Sequence, residues 1–120
     1  MSSTTESTVR QPIKRGDIYW VELPNRDPRG SEIEKTRPCV IISMTEANAL
    51  RRSMVCVPLT SSTEPAPPVA IAVLSAGPDS VAVCDQIAAI DKLRLKRRVG
   101  ALSAADLREV EKSLLPVLVF

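Results

Sequence analysis

The sequence contains no histidine, and this absence narrows the catalytic chemistry that the chain can support. Serine–histidine and cysteine–histidine catalytic pairs are excluded, because both need an imidazole to accept the proton of the nucleophile. Histidine is also the commonest protein ligand of transition metals. We therefore expect no transition-metal site and predict that the chain works without a cofactor.

Aromatic residues are almost as scarce, since Tyr19, Trp20 and Phe120 are the only three in 120 residues. Proteins that bind single strands by stacking bases on a row of aromatic rings need more of them. The formal net charge of +2 is also too small to indicate a nucleic-acid-binding protein. If the chain binds RNA, polar and cationic contacts must provide most of the affinity.

The sequence also lacks the features of an exported or membrane protein. No apolar run approaches the roughly 18 residues that a membrane-spanning helix requires. Residues 1–9 are polar and offer no apolar segment for a signal peptide. Cys39, Cys56 and Cys84 each lie singly in an apolar stretch, which indicates buried, reduced thiols. We expect a cytoplasmic protein without membrane contact.

Short apolar runs, separated by proline, glycine and serine, indicate a β-rich chain. The length fits a single domain over residues 13–120, preceded by a flexible tail over 1–12. We predict strands at 17–23, 39–43, 54–59, 69–74 and 80–84, with 85–90 continuing the last strand or bending away. Residues 24–36 and 60–68 are predicted to be loops, and 45–52 a helical turn or a loop.

The C-terminal segment has the pattern of one amphipathic helix. Ser103 and Asp106 resemble a capping box in which aspartate replaces the usual glutamate or glutamine. Pro116 is expected to end or kink the helix near its last turn. An apolar stripe that should face the body follows at helical spacing: Leu107, Val110, Leu114 and Leu118.

Five of the seven residues at 92–98 are basic, with Leu93 and Leu95 between them. We favour a solvated face whose leucines point inward. The alternative is a nucleic-acid-binding barrel whose contacts come from this segment; it predicts strongly salt-dependent binding without cleavage.

A polar segment leads into an apolar strand through an arginine that precedes proline. Pro38 disfavours helical geometry at Arg37, and a guanidinium on a rigid strand suits recognition of a phosphate. An ion pair of Arg37 with Glu32 or Glu34 explains the residues equally well. Further along, the run Thr60-Ser61-Ser62-Thr63 follows another apolar strand. Its hydroxyls fit either a phosphate contact or an ordinary polar turn.

These residues belong to an ordered set of motifs that resembles the MazF/PemK toxins. The resemblance runs from about Ile13 to the C-terminus, roughly nine-tenths of the chain. The motifs are Gly16-Asp17-Ile18-Tyr19-Trp20, Gly30-Ser31-Glu32, Arg37-Pro38, Pro58-Leu59-Thr60, Asp79-Ser80-Val81, Asp85-Gln86-Ile87, Ile90-Asp91-Lys92 with Arg94-Leu95, and Val99-Gly100-Ala101-Leu102.

The resemblance implies a small open antiparallel barrel of the Src-homology-3 type (MazF/CcdB-like) with a C-terminal helix, assembled as a symmetric homodimer. It also implies a metal-independent endoribonuclease that cuts single-stranded RNA within a short sequence. A cognate antitoxin protein would neutralise it, and DNA would be contacted only through the toxin–antitoxin complex. We expect an acidic or apolar tail of that antitoxin to bind near residues 24–36 and 60–68.

The resemblance further implies the site residues. Arg37 and Thr60 match positions implicated at the scissile phosphate, and Glu32 matches a loop acid whose role varies between family members. The RNA-binding positions implied are Ser31, Lys35, Ser61 and Gln86. Some relatives carry a histidine near the first loop; this chain has none, so a mechanism that needs such a base does not transfer.

The implied reaction is attack by the RNA's own 2'-hydroxyl on the adjacent phosphate, which needs no nucleophile from the protein. The main alternative is a non-enzymatic toxin of the same fold that binds a protein target such as gyrase. The joint presence of Glu32, Arg37 and Thr60 favours the nuclease.

Overall fold

The computed structural model describes residues 12–23 and 35–118. The predicted site residues Ser31 and Glu32 lie outside these ranges, as do the alternative partner Glu34 and almost all of the predicted tail. The described elements are β1 (Asp17–Leu23), β2 (Lys35–Ile41), α1 (Thr45–Leu50), β3 (Ser53–Thr60), β4 (Ala70–Ala72), β5 (Val81–Val83), β6 (Ala88–Asp91), β7 (Leu95–Ala101) and α2 (Ala104–Leu118), with short 3-10 turns at Leu74–Ala76, Cys84–Gln86 and Lys92–Arg94.

The strands form one antiparallel sheet in the order β4-β5-β3-β2-β1-β7. Strand β3 is shared, because its beginning pairs with β6 and its last two residues, Leu59 and Thr60, pair with β5. The predicted class, an open antiparallel sheet with a C-terminal helix, is confirmed. Neither helix in the described ranges is long and apolar enough to cross a bilayer.

Strand alternation divides the buried side chains into two clusters, one on each face of the sheet. On the first face Val40 and Val57 pack with Val110 and Leu114 of α2. The second face carries the intervening residues of the same strands: Tyr19, Val21, Cys39, Ile41 and Cys56, together with Ile90. All three cysteines are buried and free, as predicted from their apolar neighbours.

The start of α2 is joined to the turn Leu74–Ala76. The Asp106 backbone N–H donates to Ser103 Oγ at 3.1 Å, which is the predicted half of the capping box. The Asp106 carboxylate instead accepts from the backbone N–H of Ser75 at 2.9 Å, and also from its hydroxyl. The helix continues through Pro116 and ends at Leu118, so Pro116 lies in its last turn and does not itself end it; the alternative, a kink at the proline, stays a prediction.

Two segments differ from their sequence-based prediction in a way that affects the site. Strand β2 begins at Lys35, so Arg37 and Pro38 lie inside a strand and not at the end of a loop. Most of the basic segment 92–98 is strand β7, paired with β1. Leu93 was expected to point inward but is 78% exposed, because it lies in the 3-10 turn that precedes this strand.

The N-terminal segment is held by a buried amide. Asn48 of α1 donates through Nδ2 to the Ile13 carbonyl at 2.9 Å and to the Ser43 carbonyl at 3.2 Å. Its Oδ1 accepts from the Ser43 hydroxyl, which in turn accepts from the backbone N–H of Val55 at 3.1 Å. Asn48 therefore links the segment before β1 to the end of β2 and the start of β3.

Candidate active site

Arg37 is the third residue of β2, half-buried, and lies opposite Val21 of β1. Its carbonyl accepts a hydrogen bond from the Cys39 thiol at 3.7 Å. No carboxylate within residues 12–23 and 35–118 forms an ion pair with Arg37, and the alternative partners Glu32 and Glu34 lie outside those ranges. The guanidinium is therefore mounted on a paired strand, without a described partner of opposite charge.

Thr60 is the last residue of β3 and is half-buried. Its Oγ1 lies 3.0 Å from Ser62 Oγ and accepts from the Ser62 backbone N–H at 3.2 Å. This local hydroxyl turn fixes the orientation of the Thr60 side chain. A hydroxyl held in this way can still share a hydrogen bond with a phosphate oxygen.

The register of the sheet relates the two residues. Strands β2 and β3 pair antiparallel, with Cys39 opposite Pro58 and Ile41 opposite Cys56. The pairing of the two strands ends at Cys39 and Pro58, and Thr60 pairs with Val81 of β5. If the same register is continued by two residues along each strand, Arg37 falls opposite Thr60. Directly opposed residues of an antiparallel pair have Cβ atoms about 4.5–5.5 Å apart, on one face of the sheet. We infer that the guanidinium and the hydroxyl serve one site.

Of the other predicted positions, Ser61, Gln86 and the backbone of Lys35 lie within the described ranges, and Ser31 and Glu32 lie outside them. Ser61 follows Thr60 and is exposed. Gln86 is exposed in the turn Cys84–Gln86, which packs against β3 and α2. Lys35 begins β2, with its backbone opposite Leu23. Hence two of the four proposed RNA-binding side chains have described positions, and both are accessible to a ligand.

The Cys39 and Cys84 thiols are protected from ionisation, whereas the hydrogen bond with Cys39 lowers the pKa of Cys56. A hydrogen bond with Cys56, together with burial, raises the pKa of Cys39, and the positive charge of Arg37 only partly opposes this. Burial and the nearby Asp85 raise the pKa of Cys84 to about 11. Because the thiolate is the nucleophilic form, Cys39 and Cys84 are inert at neutral pH.

A groove of about 1020 Å³ lies on the same face of the sheet, beside the candidate site. It is lined by residues 12–14 together with residues 92, 93 and 95–98. Tyr19 contributes to the floor, and burial, then the charge of Asp17, raise its phenol pKa. Residues 92–98 were predicted to form a solvated face; the signal in the sequence that could have indicated this groove is that five of these seven residues are basic.

Comparison with known proteins places the chain in a family. The model of PemK-like, MazF-like toxins of type II toxin–antitoxin systems matches residues 14–118, and the chain belongs to that family. It is 36% identical over 113 residues to a protein of Mycobacterium tuberculosis named endoribonuclease MazF9, covering 85% of this chain and 92% of that protein.

Solved structures show the same fold. A mycobacterial endoribonuclease in complex with its cognate antitoxin has a TM-score of 0.70 at 24% identity, covering 88% of this chain and 93% of the other. A MazE–MazF complex from Deinococcus radiodurans has a TM-score of 0.73 at 21% identity, covering 90% and 96% of the two chains. At these identities the likeness concerns the fold.

Proposed function

We propose that the protein is an endoribonuclease toxin that cleaves single-stranded RNA and is neutralised by a cognate antitoxin. The observation that supports this proposal is the register of β2 and β3, whose continuation by two residues beyond the last pair, Cys39–Pro58, would bring Arg37 opposite Thr60 in a chain of the PemK/MazF family. The relatives named as endoribonucleases, alone or with an antitoxin, support the same activity and the same kind of partner.

In the proposed reaction the 2'-hydroxyl oxygen attacks the adjacent phosphorus, and the bond to the 5'-oxygen breaks. The 2'-proton leaves, the departing 5'-oxygen gains a proton, and the products are a 2',3'-cyclic phosphate and a 5'-hydroxyl. The nucleophile is already in the substrate, so we propose that no metal takes part. The protein must orient the strand and stabilise the charge that builds on the phosphate oxygens.

Arg37 supplies the charge stabilisation in this scheme. A guanidinium is permanently protonated, so it acts as a fixed donor to phosphate oxygens and not as a proton shuttle. Thr60 donates its hydroxyl to the phosphate or contacts the attacking oxygen. Glu32 accepts the 2'-proton or orients Arg37, and Ser31, Lys35, Ser61 and Gln86 bind the strand on either side.

The test is to incubate the purified protein with a defined single-stranded RNA in EDTA and to map the fragment ends. Arg37→Ala should lower kcat by about 10²–10³-fold, the usual effect of losing one preorganised donor. Arg37→Lys should recover part of the loss, since it keeps the charge without the planar fork. Thr60→Ala should cost roughly 10-fold, and Thr60→Ser less, since it retains the hydroxyl.

Two exposed residues give matched controls: Arg51→Ala removes a cation at the end of α1, and Thr63→Ala removes a hydroxyl from the turn after Thr60. Both should cleave like the parent. Cleavage by Arg37→Ala at the parent rate would contradict the site. Absence of cleavage together with inhibition of gyrase would favour the non-enzymatic toxin.

We further propose that the active form is a cytoplasmic homodimer. The support is a modest core for 120 residues, together with large aliphatic side chains left exposed, among them Leu74 and Leu115. Light scattering coupled to gel filtration should give twice the monomer mass of 13.0 kDa. We also propose that the antitoxin tail binds beside residues 24–36 and 60–68; cleavage that persists in a saturated complex would contradict this.

A further inference from the structure

The groove beside the candidate site has a strongly basic lining. The segment before β1 contributes Lys14, the 3-10 turn contributes Lys92 and Leu93, and the first half of β7 contributes the rest of the basic lining. Apolar side chains of Tyr19 and Leu95 lie between them. The cationic side chains that line the groove are Lys14, Lys92, Lys96, Arg97 and Arg98.

Irregular pairing of β7 explains why three consecutive basic residues line one groove. Between the pairs Val21–Leu95 and Tyr19–Arg98, two steps along β1 correspond to three along β7. Another register shift follows before Ile18 pairs with Gly100. In a regular strand alternate side chains point to opposite faces, whereas each extra residue of a bulge re-aims the side chains beside it. The bulges thereby concentrate positive charge on this side.

Carboxylates neutralise only part of that charge. Arg98 lies 3.2 Å from the buried Asp17 carboxylate, and Lys96 lies 3.8 Å from Glu22. Within the described ranges no ion pair involves Lys14, Lys92 or Arg97. The groove therefore keeps three cations without a described counter-charge, and these remain available to an anionic ligand.

The sheet connects this groove directly to the candidate active site. Val21 lies opposite Arg37 on one side and opposite Leu95 on the other. Two strand spacings, about 10 Å, therefore separate Arg37 from the near end of the groove. Cys39, two residues after Arg37, lies opposite the groove residue Tyr19. Arg37 and the groove thus share one face, so one extended ligand can reach both.

We propose that this groove binds the phosphodiester backbone of the RNA on one side of the cleaved bond. The inference rests on the proposed function and specifies a second binding region for the same substrate. Lysine and arginine on an open wall suit phosphates, which carry one charge per nucleotide. Because the proposed contacts are made to phosphates, which are the same for every base, the groove contributes affinity and not sequence preference.

The test compares Lys92→Ala/Arg97→Ala with Arg108→Ala/Lys112→Ala. Both double variants remove two exposed or partly exposed cations, but the second pair lies on α2, across the sheet from the groove. The ligands are RNAs with a 2'-deoxy nucleotide at the cleavage position, which blocks the reaction. One RNA extends well beyond that position on both sides, and two others are trimmed on one side each.

On the long RNA the groove variant should bind about 25-fold more weakly at 0.1 M salt and approach the parent at 1 M. Each lost phosphate contact removes about 0.7 from the slope of log K against log salt, so two contacts remove about 1.4. One of the trimmed RNAs should show no difference between the parent and the groove variant. The α2 variant should match the parent throughout, and kcat at saturating cleavable RNA should be unchanged in both.

Several results would overturn the proposal. The groove is not an RNA site if the groove variant keeps the parent's salt slope, or if all three RNAs weaken equally. Unchanged RNA binding with weakened antitoxin binding would assign the groove to an acidic protein segment. If the parent is a dimer and the groove variant is a monomer, the groove is instead a contact surface between two copies of the chain. If the parent cleaves no RNA but the groove variant still loses the expected part of the parent's salt slope on the long RNA, the nuclease function is refuted and the groove is supported.

Discussion

Replacing Asn48 with alanine tests whether one buried amide holds the segment before β1 in place. The side chain is 1% exposed and forms three hydrogen bonds, two donated to the carbonyls of Ile13 and Ser43 and one accepted from the Ser43 hydroxyl. At a net contribution near 1 kcal/mol each, their loss costs about 3 kcal/mol. Alanine returns about 0.6 kcal/mol through its higher helix propensity. The expected loss of unfolding free energy is therefore about 2–3 kcal/mol.

The assay is urea unfolding followed by the fluorescence of the half-buried Trp20. Leu50→Ala is the control on the same helix, since Leu50 is 85% exposed and should change stability by less than about 0.5 kcal/mol. Ser43→Ala combined with Asn48→Ala should cost less than the sum of the single changes, since the two side chains share a hydrogen bond. The reasoning is refuted if Asn48→Ala alone costs under about 0.5 kcal/mol.

Three further changes have defined outcomes. Leu114→Ala should cost about 2–5 kcal/mol in urea unfolding, whereas Leu50→Ala, at an 85% exposed position, should cost little. Folding raises the pKa of Cys84 from 9.0 to about 11, so the unfolded chain loses this proton first as the pH rises. The free energy of unfolding should therefore fall by about 1.4 kcal/mol from pH 8 to 10. The fall should be smaller in Cys84→Ala. Gly16→Ala should lower the melting temperature, because Gly16 has a φ of 94°, which favours glycine, and the added Cβ would lie 3.2 Å from Leu107 Cδ2. An unchanged melting temperature would contradict this.

The sequence predicted the strands whose apolar runs have clear ends, but it misplaced the start of β2. The polar residues of 24–36, with their prolines and glycine, indicated a loop, and the strand was predicted to begin only after Pro38, at Cys39. In the structure Pro38 lies opposite Trp20, and Arg37 is already paired with β1. The tertiary pairing of β2 with β1 outweighed the local preference of these residues.

The identities of Arg37 and Thr60 could be taken from motifs, but their relation could not. Their proposed proximity depends on continuing the β2–β3 register beyond Cys39 and Pro58, and a shift of one residue would place them on different faces. The groove was harder still to foresee. Alternation along 95–101 predicts basic residues on both sides of a strand, and only the register shifts against β1 bring Lys96, Arg97 and Arg98 together.

Strand β7 ends the sheet, so one of its sides has no neighbouring strand among the described residues. Unpaired strands invite the addition of further chains, and lysine or arginine along them is a common deterrent to aggregation. The basic residues of β7 therefore also favour solubility. High salt screens the charge of these residues, and substitution removes it. Either change should therefore weaken RNA binding and also make the protein more prone to aggregate through the edge of β7.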